Sequence, residues 1–517
     1  MQARMGWIAG ATAGAAAALA LLLMRAVLGG PSLPEVVQDA IVLATPGAVF
    51  SFLLDTLRFA GRPLLFALIL VGMFVVGGAI GRVYGARPRT GQSALGLAAV
   101  LFVVLGLVAF PLLGAGLLGT GRMADVPLWL TTAVAIAVYV GALHLLLRRP
   151  AVESETRPED TRPAGFDPAR RRLLGQAAAG ASLAGLALVG WRAFALGGSV
   201  ASTPTPRPAA ANTSTTPPSA AEHPTPDITV VGTFYNVSKN FADPHVAAQG
   251  WKLRVDGLVE TPYELSLDEL KALPPVEQPA TLCCISNEIG GDLIGNGQWK
   301  GVRLADLLQK AGVKPGAIKV VFHCRDDYTD SIAFDRATMP GTLVVYEMNG
   351  GPLTDKHGFP ARVIVPGIFG MKNAKWLQRI EVADVDFKGF WQQQGWSDPA
   401  PYQTMSRIDA PPQSNPRVPA GPGFVYGVAF AGDRGIGKVE VTTDNGASWR
   451  EAKLLPATGP FSWVRWSLEW DAPAGARATL QVRAYDGAGE PQTAQPNPPY
   501  PDGATGYHTL NVRVAEA

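Results

Sequence analysis

Charge is scarce in this chain: 17% of its 517 residues are Asp, Glu, Lys or Arg, against about 25% in an ordinary soluble domain. No lysine occurs before Lys239, and there are only three cysteines and six histidines. Each shortage excludes something. With no CxxC pair, no HExxH and no histidine cluster, zinc and iron–sulfur centres lack a ligand set. His144 is the one histidine in the apolar first part, so a haem held between two helical histidines has no site there. No dense basic stripe interleaved with aromatics runs through the second half, which argues against a nucleic-acid partner.

What charge there is falls unevenly. Residues 1–200 hold 16 Arg, nine acidic residues and no Lys, a net of about +7, and the rest of the chain carries about −5. That split describes a membrane part joined to a soluble part. Six apolar segments, 6–28, 40–60, 63–84, 94–119, 127–147 and 173–196, approach the ~20 residues needed to cross a bilayer as a helix. They predict a transmembrane bundle over 1–197, with the second segment the weakest because Asp55 and Arg58 sit near its end. Ten of the 16 Arg lie in the 82–89 loop and in 148–172. The positive-inside rule makes both cytoplasmic, and six crossings then put the N-terminus and everything after residue 197 outside. Asp55 and His144 stand out as intramembrane polar residues. The sixth segment follows Arg170-Arg171-Arg172 and is only mildly apolar, which resembles a twin-arginine export signal. Plain positive-inside anchoring is the alternative.

Residues 198–226 form a Pro/Thr/Ser/Ala tract that buries no core and reads as an extended linker. From 227 to 408, short β-rich runs (251–255, 318–323, 343–346, 362–365) alternate with helical stretches (266–273, 304–311), an α+β pattern. From 411 to 517 the signal is all-β. Five alternating runs and the Asp444-Asn445-Gly446 hairpin signal predict a sandwich of the immunoglobulin-like kind. The expected architecture is therefore multi-domain: helical bundle, linker, α+β domain, all-β sandwich.

Adjacent Cys283 and Cys284 do not readily pair, and an odd count leaves one thiol over. Counting alone leaves two readings open: a Cys283–Cys324 disulfide with one buried thiol, or a thiolate kept for metal or chemistry. The neighbouring residues bear on the choice. Thr281-Leu-Cys-Cys-Ile-Ser-Asn287 and Ile294-Gly-Asn-Gly-Gln-Trp-Lys-Gly-Val-Arg-Leu304 resemble the molybdenum-cysteine segment of the sulfite oxidase family. Tyr346-Glu-Met-Asn-Gly-Gly-Pro-Leu353, His357-Gly-Phe-Pro-Ala-Arg362 and Asn373-Ala-Lys-Trp376 continue that resemblance in order, and Gly427–Arg434 with Asp444–Gly446 echo the sandwich domain that follows in the family.

The resemblance implies a molybdenum–molybdopterin cofactor with Cys284 as the metal ligand, since it begins the Cys-x-x-Asn run. A soft thiolate suits a redox-active metal. His357, Arg362, Asn373, Ala374 and Lys375 match positions that hold the pterin and its phosphate, Asp326 matches an acidic pterin contact, and Asn236 matches an N-terminal one. The implied chemistry is oxygen-atom transfer on a small molecule. A cytochrome or a quinone-linked protein would exchange the electrons, and two copies would pair through the sandwich. Three departures weigh against sulfite as substrate: Ile289, Trp396 and Thr509 stand where sulfite oxidases place an arginine, an active-site tyrosine and a second arginine. A neutral S- or N-oxide or sulfur compound is the expected substrate, handled outside the cytoplasmic membrane. Sulfite oxidation proper and a non-catalytic membrane-anchored binding protein are the competing readings.

Overall fold

Glycine brings the first helices together. In the computed structural model, described over residues 2–147 except 29–31, most of 47–60, 87–89 and 121–126, and over 223–516 except 241–242, the chain begins with α1 (Gln2–Leu28), α2 (Leu33–Ala44), α3 (Gly61–Gly85), α4 (Gly91–Val103, continuing helically to Leu112) and α5 (Leu128–Leu147). A Cβ on Gly10 would lie 2.3 Å from the Gly77 carbonyl oxygen and 2.6 Å from the Gly81 Cα, so α1 and α3 touch backbone to backbone. Such small-residue contacts are how helices associate where no water drives them together. The Tyr139 hydroxyl of α5 donates to the Gly77 carbonyl oxygen at 2.7 Å.

Four stretches among the described residues are long and apolar enough to cross a membrane: Arg4–Arg25, Leu64–Gly85, Gly91–Leu112 and Leu128–Leu147. The expected span at 40–60 lies for the most part outside the described residues; the helix described before it, α2, has 12 residues and carries Glu35, which pairs with Arg25 at 2.8 Å. The expectation that the N-terminus lies opposite the 82–89 loop is corrected. Gly6 of α1 packs on Gly81 and Gly85 of α3, which puts the N-terminal end of α1 beside Arg82. The segment 173–196 and most of the linker lie outside the described residues.

The second compact unit holds almost all of the chain from residue 243 onward. Its α+β part runs β1 (Lys252–Gly257), β2 (Tyr263–Ser266), α6 (Leu267–Ala272), β3 (Val276–Cys283), β4 (Ile294–Arg303), α7 (Leu304–Ala311), β5 (Lys319–Cys324), β6 (Thr329–Ala333), α8 (Phe334–Ala337), β7 (Leu343–Met348), β8 (Gly351–Pro352), β9 (Arg362–Ile364) and β10 (Leu377–Ala383). One sheet has the order β2-β1-β10-β5-β6, with β1 and β10 parallel. The other has the order β3-β4-β7-β8, with β9 on β7. The helices form for local reasons. Ser266 and Glu269 make a reciprocal capping box on α6, and α7 buries Leu304, Leu307, Leu308 and Ala311 at helical spacing before Gly312 stops it at φ 68°.

The sandwich follows with β11 (Met405–Ala410), β12 (Arg417–Val418), β13 (Gly421–Phe430), β14 (Ile436–Thr442), β15 (Arg450–Glu451), β16 (Lys453–Leu454), β17 (Val464–Ala472), β18 (Arg477–Asp486) and β19 (His508–Val514). Its sheets, β11-β13-β17-β16 and β12-β19-β18-β14-β15, enclose a shared core that includes Val425, Val439, Trp466, Leu480, Val482 and Val512. Trp466 is therefore a core residue. The sandwich also steadies β3. The Trp463 N–H donates to the Thr281 hydroxyl at 2.8 Å, and the Thr281 N–H donates to the Phe461 carbonyl oxygen at 2.9 Å. The strand that delivers both cysteines is thus braced from two domains.

Candidate active site

The β3–β4 hairpin explains the Cys-x-x-Asn spacing. β3 ends at Cys283, and Cys284 opens the connecting turn with its N–H donating to the Leu293 carbonyl oxygen at 2.9 Å. Asn287 closes that turn: its N–H donates to the Cys284 carbonyl oxygen at 3.0 Å, and its side-chain oxygen accepts the Leu293 N–H at 2.9 Å. A side chain with both an amide acceptor and a short stem is needed three residues after the cysteine. The Cys284 thiol sits 3.0 Å from the Ser286 hydroxyl. Cys283 is 2% exposed, its thiol lies 3.6 Å from the Cys284 carbonyl oxygen, and burial followed by the adjacent Cys284 pushes its pKa up. All three cysteines are free thiols, so the disulfide reading is not the one realised.

Arg362, delivered by β9 opposite Val345, lies 5.3 Å over the Trp299 ring and is buried. It donates to the carbonyl oxygens of His357 at 3.2 Å and Asn373 at 3.0 Å. Its Nε has no hydrogen-bond partner among the described residues, and no carboxylate is within its ion pairs there. Burial pushes it down to about 10. A buried cation without a counter-ion is costly, so this guanidinium sits where an anionic group would belong. His357 is buried on Phe234, and its Nε2–H donates to the Val231 carbonyl oxygen at 3.2 Å. Burial and the Arg362 charge push it down to about 4.

The other candidates sort into brackets and bystanders. The Asn373 side chain accepts the Val365 N–H at 2.6 Å and donates to the Phe369 carbonyl oxygen at 3.3 Å, so it shapes the turn that presents Ala374 and Lys375. The Asn236 amide is likewise occupied: it donates to Asp243 at 2.6 Å and accepts from Lys375. Asn236 therefore orients Lys375, a role its spacing gave no hint of. Asp326 accepts the Tyr328 N–H at 3.2 Å, in a turn whose Arg325 N–H bonds the Trp376 carbonyl oxygen at 2.9 Å. That tie places Asp326 beside the Lys375–Trp376 segment.

Trp396 is buried edge-on against Tyr500, 5.2 Å between ring centres, and its indole N–H has no partner among the described residues. Ile289 faces Gly506, whose added Cβ would meet it at 2.9 Å. Thr509 is exposed on β19 and bonds the carbonyl oxygen of Tyr507. The residue of that strand which reaches the cysteine turn is its neighbour His508, whose ring would be 2.4 Å from a Cβ on Gly290. Sequence reasoning missed His508, along with Tyr235 and Tyr402. The Tyr402 hydroxyl accepts the Cys283 N–H at 3.2 Å, and the Tyr235 hydroxyl would be 2.5 Å from a Cβ on Gly370. Ordinary core composition hid all three.

A buried free thiol and, in the same domain, a buried guanidinium without a carboxylate among the described residues are the donors a metal–anion cofactor needs, and the comparisons identify which. Residues 240–391 match the oxidoreductase molybdopterin binding domain, and residues 410–500 match the Mo-co oxidoreductase dimerisation domain. The chain is 32% identical over 300 residues to the mitochondrial sulfite oxidase of Drosophila melanogaster, covering 49% of this chain and 52% of that protein. It is 37% identical over 146 residues to the uncharacterized oxidoreductase YuiH of Bacillus subtilis (strain 168), covering 28% of this chain and 72% of that one. The crystal structure of the sulfane dehydrogenase SoxCD from Paracoccus pantotrophus aligns with a TM-score of 0.49 at 24% identity, over 56% of this chain and 84% of that one. The chain spans about half the length of the Drosophila relative. The second unit thus carries a molybdopterin-binding domain joined to a molybdenum-cofactor dimerisation domain. The chain belongs to the sulfite oxidase family of molybdopterin-dependent oxidoreductases. Its residues fit the cofactor, because the orphaned Arg362 Nε and the adjacent Lys375 and His357 offer donors to an anion, and Cys284 offers a thiolate sulfur.

The histidines set a pH dependence. His357 and His508 are both pushed down to about 4, His508 by burial and the Arg407 charge, against about 6.5 when unfolded. Between those values the unfolded chain binds more protons, so stability is full above pH 6.5 and falls as pH drops toward 4. Each contributes on the order of 3 kcal/mol over that window. The physical cause at His508 is direct, since its Nδ1 accepts the Ile408 N–H at 2.9 Å and cannot do so protonated. Chemical denaturation from pH 7 to 4 should show a decline that His357→Gln and His508→Gln each flatten. An unchanged slope in the double variant would contradict this.

Proposed function

We propose that this protein is a membrane-anchored molybdenum enzyme acting outside the cytoplasmic membrane on a small neutral S- or N-oxide or sulfur compound. The observation that carries the reading is the buried Arg362, which has no carboxylate partner among the described residues and whose Nε is left without a hydrogen-bond acceptor, in the same domain as the free Cys284 thiol. Bound molybdenum–molybdopterin supplies two-electron oxygen-atom transfer, and electrons then pass to or from a separate redox protein. This chain's residues do the rest. Cys284 ligates the metal. Arg362, Lys375 and the backbone around Asn373–Ala374 hold the phosphate and pterin, with His357 and Asp326 at the edges. Asn236 keeps Lys375 aimed. Trp396 presents an apolar wall in place of a tyrosine. Two copies pair through the sandwich, which we read as immunoglobulin-like.

Support for the location comes from the bundle. The N-terminal end of α1 lies beside Arg82, so four spans return the chain to the cytoplasmic side, where 148–172 adds seven Arg. The segment 173–196 is then the crossing that delivers the catalytic part outside. A cofactor inserted in the cytoplasm requires export of a folded domain, and Arg170-Arg171 offers the twin-arginine route. Changing both to Lys should leave residues 227–517 protected from external protease while the earlier helices insert. Undiminished cleavage from outside would contradict the route.

Support for a neutral substrate comes from the surroundings of the cysteine turn. A pocket there is lined by Glu288, Ile289, Phe369, Tyr402, Gln403 and Gln492, among others. Arg407, whose guanidinium bonds the turn, is committed to the Gly291 carbonyl oxygen at 2.7 Å and to Asp409 at 2.6 Å. A doubly charged oxyanion would meet a carboxylate and no bidentate arginine fork. Steady-state kinetics with an artificial electron partner should therefore give sulfite an efficiency at least a hundredfold below that for a methyl sulfoxide. Sulfite turnover in the ordinary enzyme range, about 10⁴–10⁸ M⁻¹s⁻¹, would overturn the substrate assignment.

A further inference from the structure

Beyond the ligand and the cradle, one hydroxyl stands against the reacting centre. We infer that Ser286 is a positioning residue that donates a hydrogen bond to the Cys284 sulfur and thereby sets the reduction potential of the metal that Cys284 ligates. The inference rests on the cofactor reading above. Ser286 Oγ lies 3.0 Å from Cys284 Sγ, well inside the range of a hydrogen bond to sulfur. Either atom can donate while the thiol keeps its proton. A metal-bound thiolate has none, so the serine hydroxyl is then the only donor of the pair.

The arrangement is built rather than incidental. Both backbones flanking Ser286 are tied: Cys284 N–H to the Leu293 carbonyl oxygen at 2.9 Å, and Asn287 N–H to the Cys284 carbonyl oxygen at 3.0 Å. The Asn287 side chain closes the turn from the other side at 2.9 Å. The serine Cα is thus fixed relative to the sulfur, and the hydroxyl has no other hydrogen-bond partner among the described residues. Cys283 cannot substitute, because its thiol is turned to the Cys284 carbonyl oxygen at 3.6 Å.

The chemical consequence has a sign. A donor on a ligating sulfur draws electron density from it, which favours the more electron-rich, reduced state of the metal. Removing the donor should make the centre harder to reduce. Partners one bond beyond the ligand shell commonly matter this much.

The test uses the full-length, molybdenum-loaded protein as wild type, Ser286→Ala and Ser286→Thr. Metal and pterin content, the potentiometric midpoint and the molybdenum EPR spectrum are read on each. The expected result is unchanged content in all three. Ser286→Ala should shift the reduced-to-oxidised ratio at fixed potential by about tenfold toward oxidised, equivalent to about 59 mV for a one-electron couple. Its EPR spectrum should change, and Ser286→Thr, which keeps the hydroxyl, should restore both. A wild-type midpoint and spectrum in Ser286→Ala, with content intact, would overturn the serine inference alone. Loss of content in Ser286→Ala without rescue by Ser286→Thr would show a purely structural role and overturn it too. A wild-type protein without molybdenum would overturn the cofactor reading, and this inference with it.

Discussion

The second unit is organised around a positive charge that no carboxylate among the described residues neutralises. Arg362 is buried and stacked over Trp299, and among the described residues it donates to two backbone carbonyl oxygens. Taking a guanidinium out of water without a carboxylate costs several kcal/mol, and the fold accepts that cost at one place. The cost is offset when an anion arrives, which makes the folded domain a receptor for a charged cofactor before any chemistry is considered. The neighbouring His357, held neutral by burial and by Arg362 itself, avoids adding a second buried charge in the meantime.

Around that charge the architecture divides its labour. β9 and the 370–375 turn place the cations, and the β3–β4 hairpin places the sulfur. The buried Lys372 locks the turn through Asp330 at 2.8 Å and Asp398 at 3.1 Å. Asp398 lies two residues beyond Trp396, so the cradle and the apolar wall are linked through one ammonium. The sandwich bears on the site directly. Trp463 braces β3, while Tyr402, just ahead of β11, anchors the Cys283 backbone. His508 crowds Gly290 closely enough that only glycine fits there, at φ 75°.

Much of this was legible in the sequence, for identifiable reasons. The strands with alternating burial, such as β18 and β19, and the amphipathic α7 announce themselves by period. The β3–β4 hairpin does not, because Ile294–Arg303 holds three glycines and a buried asparagine and shows neither period. Motif resemblance singled out Cys284, Arg362 and Lys375, and the fold delivers Cys284 just past the end of β3 and Arg362 on β9. It gave no sign of the turn-shaping bonds that the Asn236 and Asn373 side chains make, because an amide side chain that shapes a turn and one that touches a ligand have the same letter. Nor did it give any sign of His508, because alternation along β19 sends neighbours to opposite faces and the burial of His508 beside the exposed Thr509 is seen only in the strand's register.

Metal analysis tests the central claim most directly. Purified protein, Cys284→Ser and Cys283→Ser should be assayed for molybdenum and for released pterin. The account predicts about one molybdenum per chain in wild type and in Cys283→Ser, and an altered or lost metal centre in Cys284→Ser. Absence of molybdenum and pterin from the wild-type protein would contradict it, as would a metal centre untouched by Cys284→Ser but lost in Cys283→Ser.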